Sequence, residues 1–427
     1  MKIILVGAGS RSFGRGQVVD VLTSEALRDR DVTLALVDID EGALDLMMHF
    51  AERVKAHTGS VVKLQGTTDR REALPGADYV IVAVSRKRMP LWAQDFRLPV
   101  AYGFRHCLGE NGGPGALFHA IRSLDLVIPI CRDVEALAPD ALVMNFTNPE
   151  ARVLHAIRHL TNVKAAGFCH GVFEGIEALT HYLERPEEQL DIISAGMNHF
   201  YCILKAEDRE TGEDLLPEAV RRAATDPDAE PLFRKMAEIF GVFTFPSDDH
   251  IGEYLAYGTE YSGAKWPFGI EGRPVPLEEP ETPQLEDYAS GSRPLDEWAL
   301  RRSGELTVPV IADIERNRGA FRPAVNVLNA EGYIDNLPRS GPVEVPAVVD
   351  AEGLHPLMVG RLPETFAAFI RKQFTIIEVV TEAYRTRSRK LLFQALLLDP
   401  VVDSISGAEA LLEDMLQLQE NYLPPFE

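Results

Sequence analysis

The chain opens Lys2-Ile3-Ile4-Leu5-Val6-Gly7-Ala8-Gly9-Ser10-Arg11-Ser12, an apolar run of strand length that stops at a Gly-rich turn. A helix-like segment from Gly16 to Leu22 follows at once. Strand, Gly-rich turn and helix in this order make a phosphate-binding unit, in which Gly7 permits the tight turn and Gly9 lets the backbone approach a pyrophosphate. Ser10 completes the turn, but Ser12 stands where the usual fingerprint has its third glycine. The next apolar run, Val32 to Val37, ends in Asp38-Ile39-Asp40. An acid at the end of a second strand grips the ribose hydroxyls and disfavours a 2′-phosphate, so NAD is expected rather than NADP, with Ile39 beside it. Asp38 also reads as the N-cap of a helix starting near Glu41.

Outward from this unit, Ala77 to Val84 reads as a strand, and Val84 with the loop Ser85 to Arg88 falls beside the nicotinamide half of such a cofactor. Leu142 to Phe146 is another strand, closed by Thr147-Asn148-Pro149. Alternating strands and helices imply an α/β fold with a doubly wound, Rossmann-type parallel sheet over residues 1–165, whose strand ends hold ligands. Between the strands, Leu108-Gly109-Glu110-Asn111-Gly112-Gly113-Pro114-Gly115 leads into a helix to about Leu137; it reads as a connector or, from its position, a substrate loop carrying Glu110.

Residues 166–427 form the expected second domain, α+β in character. A strand from Lys164 enters Gly167-Phe168-Cys169-His170-Gly171, and a strand from Ile192 to Leu204 contains Gly196-Met197-Asn198-His199. Cys169 and His199 are possible metal ligands, although about thirty residues is too long a gap for a sequence-local zinc signature, and His199 alone also reads as a hydrogen-bonded core residue. Residues 205–240 read as helical. The run Phe245 to Tyr254 packs Asp248, Asp249, His250, Glu253 and Tyr254 together, candidates for a general base or simply a solvated loop. Gly269 to Pro294 reads as a mobile surface excursion. Helices are expected near 295–304 and 308–317, strands at 325–329 and 343–349, and amphipathic helix from 362 to 418.

The 427 residues carry a net charge of −22, from 43 basic and 65 acidic side chains, a balance that repels nucleic acid and anionic membranes. No stretch reads as the roughly twenty apolar residues of a membrane span, and a cytoplasmic location is expected. Four scattered cysteines argue against a disulfide framework, and Cys131 reads as a small buried hydrophobe.

Taken in order, the Gly7-Ala8-Gly9-Ser10 turn, Asp38-Ile39-Asp40, Gly112-Gly113-Pro114-Gly115, Asn145-Phe146-Thr147-Asn148-Pro149, Gly167 to Gly171, Gly196 to His199 and Asn326-Val327-Leu328-Asn329 with Asp335-Asn336-Leu337-Pro338 resemble the NAD- and divalent-metal-dependent glycosidases of glycoside hydrolase family four. The resemblance covers nearly the whole chain. It implies a lactate/malate dehydrogenase-like fold and a homodimer or homotetramer. It also implies cleavage by redox elimination: oxidation of the sugar at C3 by NAD⁺, loss of the C2 proton, expulsion of the C1 group, addition of water and return of the hydride, outside the usual two-carboxylate scheme.

By motif match, Cys169 and His199 are the ligands of a divalent metal, Mn²⁺ in most of the family. Asp248 is the C2 base, with Asp249 and Tyr254 as alternatives. Asn148 and Asn198 are sugar contacts, and His170 occupies the place where phosphosugar-cleaving members carry an Asp that assists the leaving group. The Cys169-His170-Gly171 step resembles members that act on unphosphorylated α-glucosides, α-galactosides or α-uronides. Two other functions compete: an NAD-dependent hydroxy-acid dehydrogenase, which has no use for a metal cysteine, and an NAD-sensing protein that has lost catalysis.

Overall fold

The N-terminal apolar runs are hydrophobic on both faces, which requires helices on both sides of the sheet they form. The computed structural model describes residues 1–262 and 285–427. Six parallel strands, β1 (Lys2–Val6), β2 (Thr33–Val37), β3 (Lys63–Thr67), β4 (Tyr79–Val82), β5 (Leu142–Asn145) and β6 (Lys164–Gly167), lie in the order β3-β2-β1-β4-β5-β6. This is the doubly wound Rossmann order, reversing between β1 and β4. β3 escapes a hydrophobicity reading because it is a half-exposed edge strand, Lys-Leu-Gln-Gly-Thr.

The sheet does not end at β6. β7 (Leu190–Met197), β8 (Phe200–Asp208), β9 (Ala320–Leu328), β10 (Pro342–Asp350) and β11 (Gly353–Pro356) continue it as antiparallel strands in the order β9-β10-β7-β8, with β11 on β10. The junction is narrow: Gly167 of β6 faces Asn326 of β9, Asn326 faces Glu344 of β10, and Glu344 faces Gly196 of β7.

The two halves of the chain share their cores. Helices Glu364–Thr386, Arg389–Leu398 and Ile405–Leu418 pack Ile376, Val380 and Leu411 against Ile4, Val80 and Phe118 on one face of the parallel sheet. On the other face, Leu285, Tyr288 and Ile311 join Phe50 and Leu36. A third cluster, with Phe200, Tyr201 and Phe366, surrounds the antiparallel strands. A division at 165/166 would cut β6 itself.

Several expectations are corrected. The single strand from Ile192 to Leu204 is the hairpin β7–β8, turning at Asn198-His199. Residues 205–240 begin with the end of β8 before helices Leu216–Thr225 and Pro231–Phe240. No helix covers 295–304; the next one is Thr307–Arg316. The Gly269–Pro294 excursion lies mostly outside the described residues, but its end is the helix Leu285–Ser290, with Leu285 and Tyr288 buried. Helix Gly113–Leu137 is long and apolar enough to cross a membrane on length and composition, contrary to the sequence reading, yet most of it is buried as a core helix.

Candidate active site

A cavity of about 900 Å³ opens at the C-terminal ends of β1 and β4, where the strand order reverses. Gly7 forms its floor with φ +90°, its N–H donating to Val37 O at 2.9 Å, and a Cβ there would meet Ala83 O at 2.0 Å. Gly9 donates its N–H to Asp38 Oδ2 at 2.8 Å, and Ser10 Oγ accepts from Phe13 N at 3.2 Å as helix Phe13–Leu22 begins. Gly14, not position 12, supplies the close packing of turn and helix: a Cβ on it would lie 2.2 Å from Ala8 O. A side-chain-free cradle opening a helix, with an acid at the end of β2, fits a dinucleotide.

Asp38 and Ile39 stand on the cavity wall, Ile39 87% exposed, and Val84 lines it at the end of β4. The alternative reading of Asp38 as a helix cap is corrected: Asp40 Oδ1 caps helix Glu41–Thr58 through Ala43 N at 3.0 Å. Arg301, Arg302 and Ser303 close this half of the wall, held by Arg15, which donates to the carbonyls of Trp298, Ala299 and Arg301. Nothing local in the sequence links segments so far apart.

The other half of the cavity holds Cys169 and His199. Cys169 follows β6, and His199 ends the two-residue turn between β7 and β8 with φ 62°. That left-handed backbone costs a non-glycine residue about 1–3 kcal/mol and marks a constrained site. Cys169 Sγ lies 3.3 Å from His199 Nε2. Zinc-type ligand bonds of about 2.3 Å to sulfur and about 2.0–2.1 Å to nitrogen would separate these atoms by about 3.1–3.5 Å, so the pair is close enough to share one divalent ion. Among the described residues no third His, Cys, Asp or Glu joins them as a metal-holding group. Burial pushes the Cys169 thiol up, helped by the Glu344 charge and opposed by the Gly171 N–H and Asn198. Burial likewise pushes His199 well down, leaving a neutral imidazole. A thiol so placed ionises when a cation binds it.

Asp248 is not beside this pair. It is 1% exposed, and its carboxylate accepts from Leu232 N and Phe233 N, both at 2.8 Å, at the start of helix Pro231–Phe240. The carboxylate satisfies helix-end amides, so its reading as the C2 base is corrected. Asp249 is also off the wall: its Oδ1 lies 2.8 Å from His250 Nδ1 and accepts from Ser247 Oγ at 2.7 Å. His250 itself lines the cavity, with its ring centroid 4.8 Å from that of His199. Burial lowers the His250 pKa, but the hydrogen bond and charge of Asp249 outweigh it with Glu253 and Glu110, and the net shift is upward. Tyr254 points away, its hydroxyl donating to Asn198 O at 3.3 Å, and Asn198 is buried behind the wall.

His170 lines the cavity with Nδ1 3.1 Å from Glu305 Oε1 and Nε2 3.5 Å from Glu174 Oε1; the Glu305 hydrogen bond raises its pKa. Asn148 and Glu110 share the same wall, Asn148 Nδ2 lying 3.4 Å from Glu110 Oε1. The loop bearing Glu110 is anchored from beneath, where Glu253 Oε1 accepts from Glu110 N at 2.7 Å and Asn111 N at 3.0 Å. Burial and the nearby Glu110 push the Glu253 carboxyl up to about 8, against those two N–H donors. Glu305, His119 and Gly14 were missed as wall or cradle residues, with no local signal to mark them. Arg88, from the loop read beside the nicotinamide, and His250, from the candidate run 245–254, both line the cavity.

A model of the family 4 glycosyl hydrolases matches residues 2–184, and a model of their C-terminal domain matches residues 194–402. The chain is 30% identical to an alpha-glucosidase of Erwinia rhapontici, across 99% of this chain and 98% of that one. It is also 30% identical to an alpha-galactosidase of Bacillus subtilis (strain 168), across the full length of both. The fold superimposes on a 6-phospho-alpha-glucosidase from gut microorganisms, solved in complex with NAD and Mn²⁺, with a TM-score of 0.82 at 20% identity, covering 100% of this chain and 99% of that one.

Proposed function

The chain belongs to the family 4 glycosyl hydrolases, and from that premise we propose that it cleaves an unphosphorylated α-hexoside, an α-glucoside, α-galactoside or α-uronide, by NAD-dependent oxidation at C3, removal of the C2 proton and elimination at C1. One cavity with a dinucleotide cradle at Gly7 and the Cys169–His199 pair in its walls is the observation that carries this reading. When bound, NAD⁺ supplies a reversible hydride acceptor and a divalent ion such as Mn²⁺ supplies a Lewis acid for the sugar oxygens.

The chain's own residues do the rest. Gly7, Gly9 and Ser10 cradle the pyrophosphate, Asp38 and Ile39 hold the adenosine end, and Val84 borders the nicotinamide. Cys169 and His199 would hold the metal. Asn148 and Glu110 orient the sugar hydroxyls. His250 takes the C2 proton at the ring nitrogen not engaged by Asp249, and Asp249 fixes its tautomer and stabilises the imidazolium. His170, backed by Glu305, holds a proton for the departing oxygen. The net charge of −22 supports a small sugar rather than nucleic acid or a membrane surface as partner, and we assign the enzyme to the cytoplasm as a homodimer or homotetramer.

The reading is tested with p-nitrophenyl α-hexosides, NAD⁺ and Mn²⁺, following nitrophenol release and NADH absorbance together. Release that requires catalytic NAD⁺ and metal without NADH accumulation is expected. Stoichiometric NADH accumulation with no release would assign the protein to the hydroxy-acid dehydrogenases instead.

A further inference from the structure

The Asn198-His199 turn is gripped from behind by a residue that lines no part of the cavity. We propose that Glu344 is a positioning residue for the metal pair, clamping Asn198 so that His199 faces Cys169; the inference rests on the reading of these two residues as ligands. Glu344 is 2% exposed, and its Oε1 receives both Asn198 Nδ2 at 3.3 Å and Asn326 Nδ2 at 3.0 Å. Asn326 Nδ2 also lies 3.4 Å from the carbonyl of Gly167, two residues before Cys169. One carboxylate oxygen therefore ties the end of β6, which carries Cys169, to the end of β7, which carries His199. The tie runs along the single row of facing residues that joins the parallel and antiparallel parts of the sheet.

His199 needs such a clamp. A metal-binding histidine ordinarily has its second ring nitrogen hydrogen-bonded to a carboxylate or carbonyl, which aims the ring. Here Nδ1 of His199 is buried and has no hydrogen-bond partner among the described residues. The direction of the ring falls to its backbone turn, whose φ of 62° lies in the left-handed region that few non-glycine residues occupy. Two contacts hold the preceding residue. Asn198 Nδ2 donates to Glu344, while its Oδ1 has no partner among the described residues, and the Tyr254 hydroxyl donates to the Asn198 carbonyl at 3.3 Å. The outer-shell role usually played by a carboxylate on the imidazole is thus exerted one residue upstream, through the turn.

The test measures Mn²⁺ binding to the full chain by the loss of free-ion electron paramagnetic resonance, and thiolate ligation by the near-ultraviolet charge-transfer band of the Co²⁺-substituted protein. NAD⁺ affinity is the control. Glu344→Leu is expected to weaken Mn²⁺ binding about 10–100-fold, to reduce the Co²⁺–thiolate band and to leave NAD⁺ affinity unchanged. Glu344→Gln, which keeps an acceptor oxygen for both asparagines, is expected to recover most of the loss. Should Glu344→Leu not fold, Asn198→Ala makes the same test. Wild-type Mn²⁺ affinity in the folded variant, a parallel fall in NAD⁺ affinity, or failure of the Gln variant to recover binding would each overturn the clamp alone. A wild-type protein that binds neither Mn²⁺ nor Co²⁺ would overturn the ligand reading beneath it as well.

Discussion

Asp249 Oδ1 stands 2.8 Å from His250 Nδ1, while one residue earlier Asp248 turns inward and gives its oxygens to the amides of Leu232 and Phe233. Adjacent carboxylates have separate tasks, one orienting an imidazole on the cavity wall and one closing a helix end. Substituting Asp248 with Ala is expected to cost about 1–3 kcal/mol of stability through the orphaned amides, read as a lowered thermal midpoint, with turnover per folded molecule retained. His250→Gln is expected to lower kcat by about 10²–10⁴ with little change in melting. A folded Asp248→Ala protein without turnover would return the base to Asp248.

The cofactor cradle depends on the missing side chain of Gly14 as much as on that of Gly7. A methyl at position 14 meets the Ala8 carbonyl at 2.2 Å, and one at position 7 meets the Ala83 carbonyl at 2.0 Å in a left-handed conformation. Both contacts are with backbone, which cannot rotate aside. Gly7→Ala and Gly14→Ala are each expected to reduce NAD⁺ affinity at least tenfold by calorimetric titration. Wild-type affinity in either variant would remove that glycine from the cradle.

Glu253 makes stability depend on pH. Its carboxyl moves from an ordinary 4.5 to about 8 on burial beside Glu110. The native state therefore holds a proton that the unfolded chain has released across this interval. The stabilisation is complete below about 4.5 and is lost as pH rises through about 8, at up to about 1.4 kcal/mol per pH unit. Glu253→Gln has no such slope. Urea unfolding from pH 5 to 9 should show the wild type losing ground to this variant as pH rises, and parallel stability profiles would contradict the assignment.

Much of the parallel sheet was legible because Ile3 to Val6, Leu34 to Val37 and Val80 to Val82 are continuous apolar runs ended by turn residues, a signal that survives without tertiary context. The Gly7-Ala8-Gly9 turn and Asp38 were legible for the same reason. Which side chain of the run 248–254 reaches the cavity was not, because a one-residue step within a turn decides the direction that Asp248, Asp249 and His250 face. Glu344 and Asn326 were invisible as neighbours of the Cys169 and His199 turns, since strand pairing across more than a hundred residues is what brings them there. The strand β3 and the β7–β8 turn were lost to edge exposure and to a hairpin of just two turn residues, Asn198 and His199.

The central claim, that His250, Cys169 and His199 act with NAD⁺ on adjacent carbons of one sugar, is tested most directly by running the cleavage in D₂O and examining C2 of the released hexose by nuclear magnetic resonance. One deuterium at C2 for each sugar released is the predicted result, because the proton removed there exchanges with solvent before water adds across the eliminated bond. Released sugar whose C2 retains its original proton in full would contradict the claim.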